Sequence, residues 1–187
     1  IPSVQKYTYL GTEINDQLDL DQLAKFRLQK GRSTLSILKK TLLNIKVPLE
    51  YRRILIRNIL IPMMTFGSEI FGMCEKRIAP LKRILDNALK CIVEKSNFAR
   101  LRAYTEFDIE PLYILASASR TRGIVKWQHS RSLISDLIQS HSNFKSRKRT
   151  WIKEAFRWLK CMGSNTDLMN HEEVSRIKRI RLDNLET

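Results

Sequence analysis

Apolar residues recur at Ala24, Leu28, Gly31, Leu35, Leu38 and Leu42, alternating steps of three and four. That spacing is one face of an α-helix and predicts a helix from about Leu20 to Asn44. Gly31 interrupts the helix interior at a cost of about 1 kcal/mol against alanine. Another helix, or a backbone, is therefore expected to approach closely there. The segment Asn15 to Gln22 supplies turn and cap residues, with Asp19 or Asp21 placed to cap the helix.

More helices follow. Lys46 to Pro48 forms a turn, and Pro48 suits the first turn of the next helix, "LEYRRILIRNIL". Ile54, Leu55, Ile59 and Leu60 are expected inward there and Arg53 and Arg57 outward, with a kink or restart at Pro62. Two glycines break the pattern in "TFGSEIFG", and a third helix spans roughly Ile78 to Glu94 with Ile78, Leu81, Leu85, Ala88, Leu89 and Ile92 inward. "EFDIEPL" punctuates the chain, and Pro111 opens a helix towards Leu137. Ser140 to Thr150 reads as a basic loop. A helix carrying Trp151, Ala155, Trp158 and Leu159 follows it, then a marginal last helix from about Glu172 to Leu185. Only the opening stretch "KYTYLGTEIND" reads as β, with Tyr7, Tyr9 and Gly11 on one face and Thr8, Leu10 and Thr12 on the other. The expected class is mostly α with one orphan β element.

The chain has 34 Lys+Arg against 19 Asp+Glu, a formal net charge of +15. Between Gln22 and Pro62 stand ten basic residues and one acid, Glu50. A polyanion would relieve such self-repulsion by releasing counterions. Nucleic acid is the leading partner and an anionic membrane surface the lesser one. No apolar run approaches the roughly 18 residues of a membrane span. Cys74, Cys91 and Cys161 are odd in number and far apart, which fits reduced thiols in an intracellular protein.

No self-sufficient catalytic or metal site is found in the sequence. Asp19 and Asp21 read as caps, and Glu106, Asp108 and Glu110 as solvated loop acids. His129, His141 and His171 lack zinc-site spacing, and no CxxC, GxGxxG or nucleophile elbow occurs. The positive signal is a ridge beside the apolar face of the first helix, where Lys25, Arg32 and Lys39 recur seven apart. The acids that would normally pair with such a face at i, i+4 are missing, and Gln29, Gly31, Ser33 and Ser36 interleave with it. Small and hydroxyl side chains permit close approach to a duplex groove while long cations meet phosphates.

Four segments, in this order, resemble the reverse transcriptases of non-LTR retrotransposons just downstream of their catalytic palm. They are "YLG" (Tyr9, Leu10, Gly11), "KGRSTLSILKK", "RRILIRNILIPMMTFGSEIFG" and "EFDIEPL". The similarity covers about Tyr7 to Leu115 and leaves the clade open. It implies that residues 1–16 are a β hairpin remnant closing the palm, that 17–105 form a helical thumb, and that 106–187 add further helices. By the same resemblance Tyr9, Leu10 and Gly11 help hold the primer end. Lys25, Gln29, Arg32, Ser36 and Lys39, with Arg53 and Arg57, face an RNA–DNA or RNA template–primer duplex. The family's catalytic aspartates and the Mg2+ they bind belong to the palm, upstream of residue 1, so no cofactor and no small-molecule substrate is expected in this segment. The resemblance also implies a ribonucleoprotein of the nucleus or cytoplasm. The alternative is a non-enzymatic helical nucleic-acid-binding or assembly protein derived from such an element. An upstream palm in the reading frame favours the polymerase, and a start codon close to Ile1 favours the binding module.

Overall fold

A computed structural model describes residues 6–9, 12–15, 19–93 and 99–128. These residues are mostly helical. Two short strands, β1 (Lys6–Tyr9) and β2 (Thr12–Asn15), pair antiparallel with Tyr9 opposite Thr12 and Lys6 opposite Asn15. The opening stretch is thus not one strand, and its period-two alternation does not run through it. Among the described residues this sheet has only these two strands.

Helix α1 (Leu20–Leu42) begins where Asp19 Oδ1 accepts the amide of Asp21 at 2.8 Å, so Asp19 is the cap. The Asp21 side chain is released to bond Arg77 instead. Lys39 and Lys40 occupy the last turn of α1, where cations complement the helix dipole. Ala24, Gly31 and Leu42 of the expected face are buried, and Leu28, Leu35 and Leu38 half-buried. The Asn44 side chain then accepts the Lys46 amide at 3.0 Å, turning the chain into α2 (Leu49–Leu55), with Pro48 at its cap.

The kink or restart expected at Pro62 takes the form of a π turn, after which α-helix resumes with the proline in its first turn. A π-helical turn, Ile56–Leu60, joins α2 to α3 (Ile61–Thr65), and the Ile61 amide reaches back to the Ile56 carbonyl. Proline has no amide to give the preceding turn and its ring crowds that turn's carbonyl. Widening the turn accommodates both without ending the helix. Ile54 and Ile59 are exposed rather than buried, and Leu55 is half-buried. The inward positions are Arg52, Ile56, Leu60, Ile61 and Met64. Phe66 (φ −60, ψ 126) and Gly67 (φ 74) then form a type II turn, whose third position requires a positive φ.

Two further helices follow that turn, α4 (Ser68–Phe71) and α5 (Glu75–Val93). Helix α5 buries every residue expected inward, together with Ile84 and Asp86. Next comes α6 (Arg100–Glu106), which has no counterpart in the sequence pattern, and then α7 (Leu112–Gln128). The expected helical stretches beyond residue 128 lie outside the described residues.

The chain divides into two compact units. One comprises Ile1–Gly67 with Cys74–Tyr113, the other Ser68–Met73 with Ile114–Thr187. In the first unit, α1 packs against α5, α3 and the π turn. A Cβ on Gly31 would stand 2.8 Å from Met64 Cγ and 3.3 Å from Ile84 Cδ1. The close approach expected at Gly31 therefore comes from side chains of two helices.

In the second unit, a Cβ on Gly72 would stand 2.5 Å from the Ser68 carbonyl oxygen and 2.7 Å from that of Ala116. Only glycine lets these backbones meet, and Ala116, Ser117 and Ala118 keep that part of α7 slim. Arg120, fully buried, donates from Nη1 to the Gly72 carbonyl at 2.6 Å.

Candidate nucleic-acid interface

Lys25, Gln29, Arg32, Ser36 and Lys39 are all exposed on α1. Their steps of four and three keep them within one stripe roughly 80° wide. None of the five takes part in an ion pair with a described residue. Desolvation decides this arrangement: the apolar side of α1 is occupied by α3 and α5, so the cations keep their water on the remaining side.

Arg27 departs from the stripe. It is buried, with its guanidinium carbon 4.6 Å from the Phe66 ring centre and 5.4 Å from that of Phe26. Its charge is held inside by aromatic faces, an attraction that grows when water is excluded.

Arg57 faces outward, as expected, and Arg53 is half-buried, and both meet an acid. Arg57 Nη1 lies 2.9 Å from Asp108 Oδ2, and Arg53 Nη2 lies 4.0 Å from the same oxygen. Arg53 also approaches Glu50, at 3.7 Å. Asp108 is an exposed loop acid, as expected, and it also pairs with these two arginines. It occupies a left-handed position (φ 48) just past α6, where its amide donates to Thr105 and the Ile109 amide reaches Tyr104. That bonding closes the end of α6 as a Schellman motif. A second acid is committed in the same unit: Asp21 Oδ1 accepts from Arg77 Nε at 2.6 Å, tying the head of α1 to the head of α5.

Tyr9 ends β1, while Leu10 and Gly11 lie outside the described residues. Nothing in the geometry bears on a primer-holding role for these three. Among the described residues no group of three or more His, Cys, Asp or Glu is placed to hold a metal ion. No helix among them is long and apolar enough to cross a membrane.

The sequence pattern gave no weight to α5, where Lys76, Arg83 and Lys90 are also exposed. Their seven-residue spacing, the same as in α1, is the signal that would have found them. Between Lys25 and Lys76 the surface forms a notch lined by Asp21, Ala24, Leu28, Arg77 and Pro80. Cys91, near the other end of α5, has its thiol pKa raised by burial, with neighbouring Lys39 pulling the other way. No protein-family model, curated protein or solved structure matches the chain.

Proposed function

We propose that the first unit is the thumb of a non-LTR retrotransposon reverse transcriptase, an RNA-directed DNA polymerase, and that it grips the template–primer duplex. One observation carries the binding part of this reading. The α1 stripe of Lys25, Gln29, Arg32, Ser36 and Lys39 is exposed, and its cations have no acidic partner among the described residues. Unpaired cations are free to neutralise phosphates, and the counterions that the nucleic acid then releases drive binding.

Arg53 and Arg57 take a smaller part, because Asp108 already neutralises some of their charge. In this reading the β1–β2 hairpin is the last piece of a palm sheet, with Tyr9, Leu10 and Gly11 against the primer end. The metal-binding aspartates and their Mg2+ belong to that palm. The polymerase assignment rests on the four segment resemblances, and the duplex role on the stripe.

The test is Arg32→Ala with Lys39→Ala, measured on an RNA–DNA hybrid across a salt series. Binding is expected to weaken alike on all sequences, and the salt dependence to become shallower by about one unit per lost phosphate contact. Unchanged affinity and slope remove the duplex role from α1.

A further inference from the structure

We propose that α5 carries a second row of cations, Lys76, Arg83 and Lys90, which runs beside the α1 row and holds the opposite strand of the same duplex. This rests on the duplex role of α1 and adds a second helix to it. The rows match residue for residue. Lys25, Arg32 and Lys39 are spaced by seven, as are Lys76, Arg83 and Lys90. Gln29 and Ser36 fill the intervening positions on α1, Pro80 and Asn87 those on α5. All six cations are exposed, and none is ion-paired to a described residue.

The helices run parallel, since Asp21 meets Arg77, Gly31 faces Ile84, and Lys39 neighbours Cys91. On α1 the residues turned towards α5 are Asp21, Ala24, Leu28 and Gly31, centred roughly 80° to one side of the cation row. On α5 the residues turned towards α1 are Arg77, Pro80, Ile84 and Cys91, centred roughly 70° to the other side of its row. In parallel helices those opposite senses bring both rows to the same side of the seam. Lys25 and Lys76 line one notch, which is where the two rows begin. The acids nearby are Asp21, held by Arg77, the exposed Glu75 at the head of α5, and Asp86, buried on α5 and accepting from the Tyr104 hydroxyl.

Dimensions favour two strands over one. Seven residues of helix place successive cations about 10 Å apart along each row. Packed helix axes lie about 8–10 Å apart, and rows standing nearly at right angles to the seam are set about as far apart as the axes, about 8–10 Å. The minor groove of B-DNA, about 6 Å wide, is too narrow for that separation. The wide, shallow minor groove of an RNA-containing duplex fits it, with a phosphate row on either side. Gln29, Ser36 and Asn87 then stand among the cations, with hydrogen-bonding groups suited to ribose hydroxyls. A single strand offers one phosphate row and can occupy either helix alone.

The test compares two triple variants of the full chain, Lys25→Ala/Arg32→Ala/Lys39→Ala and Lys76→Ala/Arg83→Ala/Lys90→Ala. Each is titrated with a short RNA–DNA hybrid and with single-stranded RNA of the same length across a salt series, after circular dichroism confirms unchanged helicity. Each triple is expected to weaken hybrid binding on the order of 100-fold at physiological salt and to make the slope shallower by about two to three units. Each is expected to weaken single-strand binding only about twofold, the statistical cost of losing one of two equivalent rows. If only the α1 triple affects the hybrid, the second row falls while the duplex role of α1 stands. If neither does, both readings fall. An effect of the α5 triple alone, or equal losses on hybrid and single strand, also overturns the two-strand arrangement.

Discussion

Arg120 and Arg32 carry the same guanidinium in opposite circumstances. Arg120 is fully buried in the second unit, with Nη1 on the carbonyl of Gly72 just past α4. Arg52, buried in the first unit, does the same for the carbonyl of Leu42, the last residue of α1, at 3.2 Å. Helices end with carbonyls that lack an intrahelical donor, and a buried end needs one from elsewhere. Arg32 instead stands in water on α1. Among the described residues, cations such as Arg120 and Arg52 close helix ends inside the protein, while others such as Arg32 are left open on a surface. Only the latter are available to a partner.

Substitution separates the two uses. Arg120→Ala removes a large buried side chain and strands the Gly72 carbonyl, so it is expected to destabilise the second unit by about 3–4 kcal/mol. Arg32→Ala removes an exposed side chain with no ion-pair partner among the described residues and is expected to change stability by less than about 0.5 kcal/mol. Urea unfolding of both variants checks this. Equal losses would erase the distinction between inner and outer arginines.

The same distinction explains which parts of the fold were legible in the sequence. The faces of α1 and α5 were legible because their buried positions are filled by apolar residues at helical spacing. The buried side of α2 was not, because Arg52 occupies an inward position and a hydropathy pattern counts it as outward. Ile54, 39% exposed, and Ile59, 41% exposed, were misplaced for that reason. The π turn compounds the error, since one extra residue rotates all later helical positions by roughly 100°. The α1 stripe was legible as an absence of compensating acids nearby in sequence. The partner of Arg57 was not, because Asp108 is remote in sequence and meets it only after α6 has folded back. Lys76, Arg83 and Lys90 had the right spacing, but only the parallel packing of α1 and α5 gives that spacing a meaning.

Asp108 offers an intermediate case, an ion pair at the surface on a strained backbone. Its side chain is 68% exposed, so the pair with Arg57 is worth at most about 1 kcal/mol, less in high salt. Asp108→Asn keeps a side chain that tolerates the left-handed region and is expected to lose only the pair. Asp108→Ala loses the pair and places a Cβ at φ 48 without local polar help, a further cost of about 1 kcal/mol. Asp108→Gly should recover that second cost. The expected stability order is Asp, then Asn and Gly, then Ala, with the Asp–Asn gap shrinking in 1 M salt. An Asp–Asn gap as large as the loss in Arg120→Ala would mean that the pair is effectively interior.

The smallest effect is at Cys91, where inside and outside meet. Burial raises the thiol pKa because the thiolate is poorly solvated there, and Lys39 across the seam partly offsets this by favouring the anion. The folded protein thus holds the thiol proton more tightly than the unfolded chain does. The stability this contributes is complete below the ordinary thiol pKa and is lost as pH rises through the raised folded value. Site-resolved alkylation against pH should place the Cys91 midpoint above that of an unstructured cysteine. Lys39→Ala should move it higher still, because the offsetting charge is gone. A bound hybrid should move it in the same direction, since phosphates on Lys39 neutralise the same charge. A midpoint indifferent to Lys39 would mean that the ends of α1 and α5 are not adjacent, and the parallel alignment of the two cation rows would lose its anchor at that end.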